Sequence, residues 1–295
     1  MIGPGHTLVV GASGFIGSAA VRALAEAGHP VRGLVRKPAE ADDSYGTGRD
    51  RGGVELVAGS LDDAASLRAA CEGVATVIHA ASYVGSDPEQ CVQVNVDGTR
   101  RLLEATASAG VAQVAYVSTT AVYGTGPHRG IAVDGVPHHP ESPASASRLA
   151  AEKLVLGAGG AVVRPNIVHG PGDRWFAPHL VSLVLRLGGL IEGGTARISA
   201  ISVADLGSLL AGLAVRGVPA GSVLHAAYRE PITVRDLLAQ LAPDPELMPW
   251  AGSVPFEEAV EFARPLGFTR HQISMVAWDH WYASEAIWPL AGQPG

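Results

Sequence analysis

Short apolar runs alternate with amphipathic stretches through the first half of the chain. β-Branched runs predict five strands, at 7–10, 31–35, 54–58, 76–79 and 112–118. Ala- and Leu-rich stretches predict helices at 18–27, 64–71, 95–109 and 146–156, the last before a sixth strand at 161–164. Gly28 and Gly110 stand where helices commonly end on glycine. This alternation predicts a doubly wound α/β fold, in which helices cover both faces of a parallel sheet.

The alternation weakens after about residue 165, which predicts two domains. We expect a Rossmann domain at 1–164, with further core elements at about 195–228, and a small substrate-binding lobe at 165–194 and 229–295. The segment 125–143 is rich in Gly, Pro and His, and we expect it to be a loop over the carboxyl edge of the sheet. All five tryptophans lie from Trp175 onward. Such side chains more often form the core of a lobe, and the alternative is an aromatic pocket.

Composition narrows the class of protein. The 295 residues are 47% hydrophobic and 17% charged, which is typical of a packed globular chain. A formal charge of −7 argues against a nucleic-acid partner. The start has no basic segment before an apolar run, and the apolar stretch 175–191 contains His179 and Arg186, so we expect no secretory signal, no membrane span and a cytoplasmic location. Cys71 and Cys91 lack the spacing of a zinc site or a disulfide framework, and we predict no metal.

A glycine-rich run, Gly11-Ala12-Ser13-Gly14-Phe15-Ile16-Gly17, joins the first predicted strand to the first predicted helix. Glycines in this context permit a tight turn, a close approach of the backbone to a pyrophosphate and close packing of helix on strand. The N-terminus of the helix adds a dipole that favours the anion. We therefore predict a dinucleotide site formed by Gly11, Ser13, Gly14, Phe15, Ile16 and Gly17.

The end of the second predicted strand indicates which dinucleotide binds. An acidic residue there would accept a hydrogen bond from the 2′-hydroxyl of the adenosine ribose, but this chain has Arg36 and Lys37. Two adjacent cations favour a 2′-phosphate. We therefore expect NADPH as the cofactor, with NADH as the alternative. A solvated basic turn is the competing interpretation, above all for Lys37.

Six further segments of the chain carry sequence motifs. They are Gly59-Ser60-Leu61-Asp62, Val77-Ile78-His79-Ala80-Ala81, Asn95-Val96-Asp97-Gly98-Thr99, Val117-Ser118-Thr119-Thr120-Ala121-Val122-Tyr123-Gly124, Arg164-Pro165-Asn166-Ile167-Val168-His169-Gly170-Pro171 and Ile201-Ser202-Val203-Ala204-Asp205-Leu206. With the glycine run, they resemble the short-chain dehydrogenase/reductase superfamily, in the extended or atypical branch that includes nucleotide-sugar epimerases and dihydroflavonol-type reductases. The resemblance implies that Thr119 carries the active-site hydroxyl. It also implies cofactor contacts by Ser60, Leu61, Ala80, Ala81, Ser82, Ser118, Arg148, Pro165, Asn166, Ile167 and Val168.

The chain departs from this family at its acid/base pair. Family members carry Tyr and Lys four residues apart on a helix after Ser-Pro, so that the ammonium lowers the pKa of the tyrosine and holds the nicotinamide ribose. In this chain Ala144 stands at the tyrosine position and Arg148 at the lysine position. A shifted register does not restore the pair, because no tyrosine lies between Tyr123 and Tyr228. We expect Arg148 to hold ribose hydroxyls and to position the reaction, with Thr119 as the second catalytic residue.

Three functions fit this incomplete pair. The first is an NADPH-dependent ketoreductase whose substrate, a bulky aromatic ketone with a hydroxyl beside the carbonyl, supplies its own proton. Such a protein resembles the antibiotic-pathway ketoreductases that lack the tyrosine and reduce angucyclinone ketones, as in the simocyclinone pathway. The second is a reductase or epimerase with a substitute acid among Ser82, Tyr83, Tyr123, His128, His138, His139 and His169. The third is a non-catalytic NADP(H)-binding sensor. We expect the first, acting on a small-molecule substrate as a monomer or homodimer.

Overall fold

A computed structural model of the chain describes residues 5–38, 53–242, 244, 246 and 248–294. The strands of its main sheet are β1 (His6–Val10), β2 (Val31–Val35), β3 (Val54–Ala58), β4 (Val74–His79), β5 (Gln113–Val117), β7 (Ala161–Pro165) and β12 (Val223–Ala226). They pair in parallel in the order β12-β7-β5-β4-β1-β2-β3. The strand order reverses beside β1, where open α/β sheets bind ligands at their carboxyl edge. The predicted doubly wound α/β fold is confirmed.

Helices cover both faces of this sheet. They are α1 (Phe15–Glu26), α2 (Ala64–Cys71), α3 (Pro88–Cys91), α4 (Gly98–Ala109), α5 (Pro143–Gly157), α6 (Ala177–Leu187), α7 (Val203–Arg216), α8 (Val234–Leu241), α9 (Phe256–Ala263), α10 (Arg270–Ala277) and α11 (Ile287–Ala291). One face packs against α1 and α7, through Leu24 and Leu206 among others, and the other packs against α2, α4 and α5. A π-helical stretch, Val92–Asp97, joins α3 to α4. The left-handed Gly110 ends α4, as its position predicted.

Two segments differ from the sequence expectation. His128–Ile131, inside the expected loop 125–143, forms β6 and pairs in parallel with β15 (His280–Tyr282). The segment has no apolar period, and its partner lies far away along the chain, so the local pattern gave no sign of the strand. Helix α11, expected in the lobe, packs Ile287 and Trp288 into the main core beside α7. Helix α11 therefore packs with the core of the main sheet.

The lobe has an apolar core of its own, formed by α6 and α8–α10. The strands of its largest sheet lie in the order β13 (Ile232–Thr233), β10 (Arg197–Ile198), β15 and β6. Two further pairs are β8 (Ile167–His169) with β11 (Ala200–Ser202) and β9 (Leu190–Ile191) with β14 (Ser253–Val254). Trp250 and Trp278 pack against the lobe core, whereas 70% of Trp175 is exposed. Helix α6, from the apolar stretch 175–191, has 11 residues. In the described part of the chain, no helix has the length and apolar character needed to span a membrane.

Candidate active site

The glycine turn between β1 and α1 forms one wall of a cleft of about 760 Å³. Gly11 has a φ of +85°, and a Cβ at this position would lie 2.7 Å from the backbone nitrogen of Ala81. Gly17 packs behind the turn, where a Cβ would lie 2.1 Å from the Gly11 carbonyl oxygen. Gly14 caps α1 without a side-chain acceptor, so the first N–H groups of the helix are left for an anion. The turn therefore fits the pyrophosphate of a dinucleotide.

The cleft also receives residues from the ends of β2, β3 and β4. Of the predicted cofactor contacts, those that line it are Gly11, Ser13, Gly14, Arg36, Ser60, Leu61, Ala80, Ala81 and Ser82. Phe15 and Ile16 are half-buried at the start of α1, and Gly17 is buried. Lys37 is exposed next to Arg36 but does not line the cleft. The structure thus places nine of the nineteen predicted cofactor contacts around one cleft.

Charged groups lie at the end of the cleft beyond β2 and β3. Arg36 is exposed there, and the hydroxyl of Ser60 donates a hydrogen bond to the Asp62 carboxylate. This hydrogen bond lowers the pKa of Asp62, with weaker contributions from the charges of Arg101 and Arg36. The guanidinium of Arg36 lines the same end of the cleft, where it can bind an anionic group on a ligand.

Thr119 directly follows β5 and is half-buried. Its Oγ1 accepts the N–H of Ala121 at 3.1 Å, which caps the 3-10 turn Thr120–Tyr123. The hydroxyl proton of Thr119 is not used by this cap, so it can be donated to another group. Thr119 can therefore donate a hydrogen bond to a carbonyl oxygen, the contact that stabilises negative charge developing on that oxygen.

Helix α5 carries positions 144 and 148, where this chain has Ala and Arg in place of the Tyr and Lys of the acid/base pair. The helix starts at a capping box formed by Ser142 and Ser145, so Ala144 lies in its first turn and Arg148 one turn later on the same face. Nη2 of Arg148 donates to the carbonyl oxygens of Val117 and Ser118, at 3.0 and 2.5 Å. These bonds fix the guanidinium at the end of β5, next to Thr119 in sequence. Ala144 contributes only a methyl group.

The segment predicted to place the nicotinamide crosses from β7 to β8. The Asn166 amide nitrogen donates to the carbonyls of Ser199 and His280, at 3.1 and 3.0 Å, and its oxygen accepts the Thr120 hydroxyl at 2.9 Å. With both ends of the amide used, Asn166 joins the lobe to the sheet and leaves only main-chain groups for a cofactor. Ser118 is similar, since its hydroxyl is buried away from the cleft. Pro165 and Ile167 are buried and Val168 is half-buried.

Two of the candidate substitute acids are buried between the sheet and the lobe. The Tyr123 hydroxyl accepts from Arg164 Nη1 at 2.7 Å and lies 2.8 Å from Nε2 of His225. Nδ1 of His225 lies 3.0 Å from the carbonyl of Ala283 and must donate to it, so Nε2 accepts from Tyr123. His128 is buried, with Nδ1 2.9 Å from the hydroxyl of Tyr282. Tyr123 and His128 therefore hold structural hydrogen bonds.

The other candidate acids divide between the cleft and the surface. Ser82 and Tyr83 line the cleft, and the buried Asn95 holds both, because its oxygen accepts from the Ser82 hydroxyl and the Tyr83 N–H at 3.2 and 2.7 Å. In the sequence, Asn95 was only part of a helix-start motif. Its bonds to Ser82 and Tyr83 could not be predicted from the local pattern, because these residues lie 13 and 12 positions away. His138 and His139 are exposed. His169 is half-buried, and its burial lowers its pKa.

Comparison with known proteins gives one family match and, among others, two similar proteins and one similar solved structure. Residues 7–210 match the NAD dependent epimerase/dehydratase family. A 2-alkyl-3-oxoalkanoate reductase of Stenotrophomonas maltophilia is 29% identical over 302 residues, which cover 96% of this chain and 83% of that protein. A 4-hydroxy-2-methyl-3-oxo-4-farnesyl-3,4-dihydroquinoline-1-oxide ketoreductase of Stigmatella aurantiaca is 30% identical over 267 residues, covering 86% and 77%. The solved structure of MoeE5 in complex with UDP-glucuronic acid and NAD has a TM-score of 0.72 and 26% identity, over 98% of this chain and 93% of that one.

Proposed function

The chain belongs to the NAD-dependent epimerase/dehydratase family and is an NAD(P)-dependent oxidoreductase of a small molecule, and from this premise we propose that it is an NADPH-dependent ketoreductase. Its substrate in this proposal is a bulky aromatic ketone of the angucyclinone type, with a hydroxyl group beside the carbonyl. The observation that carries the proposal is that Ala144 stands at the tyrosine position, while the glycine turn, Thr119 and Arg148 are all present. Bound NADPH supplies the hydride.

Reduction of a ketone also requires a proton on the carbonyl oxygen, and position 144 on α5 offers no acid to supply it. Loss of a positioned general acid costs a factor of roughly 10²–10⁴ in rate. A hydroxyl on the substrate that already hydrogen-bonds the carbonyl delivers the proton without a protein acid. Thr119 then stabilises the developing negative charge by donating its free hydroxyl proton, and Arg148 holds the ribose of the cofactor.

An exposed aromatic side chain near the cleft supports a planar substrate. Trp175 lies parallel to His179, with 6.3 Å between ring centroids and 6° between planes. Its loop is fixed by Asp173, whose carboxylate accepts three successive backbone N–H groups at 2.8–3.0 Å, including that of Trp175. The same loop lies over the start of α1, because a Cβ at Gly172 would be 3.7 Å from the ring of Phe15. In this proposal, a large flat substrate that reaches this loop packs against Trp175, which is 70% exposed.

The preference for NADPH rests on Arg36, with Lys37 beside it. We expect Arg36→Ala to raise the KM for NADPH roughly tenfold or more, the loss of one charge-assisted contact, and to leave the KM for NADH nearly unchanged. Steady-state kinetics with both cofactors measures the two values. Arg101→Ala is the matched control, since it removes a cation near Asp62 that does not line the cleft. Equal effects of Arg36→Ala on both cofactors would contradict the preference.

The reaction is tested by NADPH oxidation at 340 nm with a panel of aromatic polyketide ketones. Half of the panel carries a hydroxyl beside the carbonyl, and the other half has a methoxy group in its place. We expect turnover only in the hydroxylated half. Equal turnover of both halves would contradict substrate-supplied protonation and favour an acid that lines the cleft, with Tyr83→Phe as the next variant. No turnover at all, with tight NADPH binding, would favour a non-catalytic sensor.

A further inference from the structure

A second pocket lies in the lobe, where β6, β10 and β15 begin. Its volume is about 760 Å³, and it shares no lining residue with the dinucleotide cleft. Two arginines, Arg129 and Arg197, line it together with the carboxylates of Glu192 and Asp279 and an apolar wall that includes Pro127 and Trp278. Charged groups beside an apolar wall in a concave site are typical of a small-molecule pocket.

Arg197 is oriented by an aromatic ring. Its guanidinium carbon lies 5.4 Å from the centroid of the Trp281 ring. Trp281 in turn lies against Gly130, where the φ is +64° and a Cβ would be 2.8 Å from the ring. Among the residues that the structure describes, Arg197 has no ion pair, and its guanidinium donates no hydrogen bond. The stacking therefore holds the guanidinium in place and leaves its N–H groups for a ligand.

The carboxylates of the pocket already accept from protein donors. Asp279 uses one oxygen for Nε of Arg129, at 2.6 Å, and the other for the backbone N–H of Arg197, at 2.8 Å. Burial opposes the ionisation of Asp279, but these bonds and the charges of the two arginines lower its pKa overall. Oε1 of Glu192 accepts the N–H of Phe256 at 2.6 Å, at the start of α9. Arg129 spends only its Nε on Asp279, so its two terminal nitrogens can still donate.

The pocket is fixed by a buried histidine that joins two of its lining residues. Nε2 of His280 accepts the N–H of Gly126 at 3.0 Å, so Nδ1 carries the proton and donates to the Trp278 carbonyl at 2.9 Å. Burial lowers the pKa of His280 to about 4, so the ring is neutral at pH 7 and both bonds are intact. A pocket held in this way needs little ordering when a ligand binds.

We propose that this pocket binds a small organic carboxylate, with its anionic group on the guanidinium groups of Arg197 and Arg129 and its apolar part against Pro127 and Trp278. A guanidinium is planar, and its paired N–H donors match the two oxygens of a carboxylate. A cationic ligand finds a weaker site, because both oxygens of Asp279 and one of Glu192 are already bonded. The site is separate from the proposed ketone reduction and does not depend on it.

Three probes of similar shape test the charge that the pocket selects. They are phenylacetate, phenethylamine and 2-phenylethanol, each measured by saturation-transfer NMR with the full chain and with NADPH filling the cleft. We expect phenylacetate to bind with a Kd of about 1–10 mM, as for a ligand of about ten non-hydrogen atoms, and the other two at least roughly tenfold more weakly. Equal binding of phenethylamine, or no saturable binding of phenylacetate, would overturn the proposal.

The same titration without NADPH should give the same Kd for phenylacetate, because the pocket and the cleft share no residue. Competition between phenylacetate and NADPH would place the probe in the cleft and overturn the assignment. Neither measurement requires a ketone, so a failure of the proposed reaction leaves both results intact.

Arg197→Met locates the bound probe. Methionine keeps an apolar chain on Trp281 and removes the guanidinium, and we expect the Kd for phenylacetate to rise roughly tenfold with little change in Tm. Arg197→Lys keeps the charge without the planar fork and should raise the Kd less. The matched control is Arg186→Met, since Arg186 is exposed on α6 of the same lobe and does not line the pocket. A parent Kd in Arg197→Met, or an equal rise in Arg186→Met, would overturn the site.

Discussion

Two arginines on neighbouring elements, Arg148 on α5 and Arg164 on β7, are held in opposite ways. Arg164 is 2% exposed, and its guanidinium binds both oxygens of the Glu152 carboxylate and the hydroxyl of Tyr123. Arg148 is half-buried, and its guanidinium donates to main-chain carbonyls. A buried cation that is paired with a carboxylate stabilises the fold. A cation that is held only by neutral carbonyls is not neutralised, so its charge can still attract an anionic or polar ligand. Arg164 thus belongs to the architecture, and Arg148 is the arginine that we propose for the cofactor.

The polar network around Arg164 extends into the lobe. Tyr123 passes the hydrogen-bond chain from Arg164 to His225, which donates to the Ala283 carbonyl beyond β15. The ring of Tyr123 also stacks on Tyr282, with 5.6 Å between centroids. This network links α5 and β7 to the lobe strands, so its loss affects the contact between the two parts of the molecule. The hydrogen bonds of Arg148, in contrast, go to the end of β5.

The largest effect is expected from Arg164→Met. This change leaves the Glu152 carboxylate buried without its partner, and breaking a buried pair in this way lowers the free energy of unfolding by roughly 3–5 kcal/mol. Guanidinium-induced unfolding measures the loss. Arg148→Met is the matched variant and should lose less, roughly 1–3 kcal/mol for its hydrogen bonds to the Val117 and Ser118 carbonyls, since it leaves no buried carboxylate behind. Equal losses in the two variants would remove the distinction between the arginines, and the double variant Arg164→Met/Glu152→Leu should recover part of the stability.

Acid should destabilise the protein through its buried histidines. Burial lowers the pKa of His225 to about 4, with a further lowering by the Arg164 charge, and burial lowers that of His280 to about 4. The unfolded chain binds protons near pH 6.5 and the folded chain does not, so stability is full above pH 6.5 and falls as the pH drops to about 4. Each histidine contributes on the order of 2–3 kcal/mol over this range. Unfolding midpoints at pH 7, 5.5 and 4.5 measure the fall.

His225→Gln isolates one of these contributions, because glutamine does not titrate. We expect the slope of unfolding free energy against pH between 6.5 and 4.5 to decrease in this variant, even where its stability at pH 7 is also reduced. An exposed control, His139→Gln, should keep the parent slope. An unchanged slope in His225→Gln would show that the acid response arises elsewhere in the molecule.

For cofactor binding the order should be reversed, with a larger effect from substitution of Arg148 than from substitution of Arg164. Arg148→Met is expected to weaken NADPH binding roughly tenfold, by loss of hydrogen bonds from a charged donor to the ribose hydroxyls. Calorimetric titration measures the Kd. The Arg164 double variant, where it folds, should bind NADPH with nearly the parent Kd, because its guanidinium is enclosed by Glu152 and Tyr123. Weaker binding by the Arg164 double variant than by Arg148→Met would reverse the assignment of the two residues.

The features that sequence could predict are local ones. The glycine turn lies within seven consecutive residues, and β2, β3 and α2 have the predicted bounds because apolar period and glycine or capping residues coincide there. The role of Arg164 was not predictable, since its partners Glu152 and Tyr123 lie 12 and 41 residues away and only the tertiary fold joins them. Asn166 shows the same limit within the site, because its motif suggested a cofactor contact and its amide bonds to the lobe instead.

The smallest effect is expected from restoring the missing phenol with Ala144→Tyr. Position 144 is half-buried in the first turn of α5, one turn before Arg148, so a tyrosine there fits the helix and faces the guanidinium. With a hydroxylated ketone the substrate already supplies the proton, and we expect kcat to change by less than about threefold, well below the usual effect of a general acid. With the methoxy analogue the phenol should produce measurable turnover that Ala144→Phe does not. A tenfold rise in kcat on the hydroxylated ketone would contradict protonation by the substrate, because it would show that the proton had been limiting.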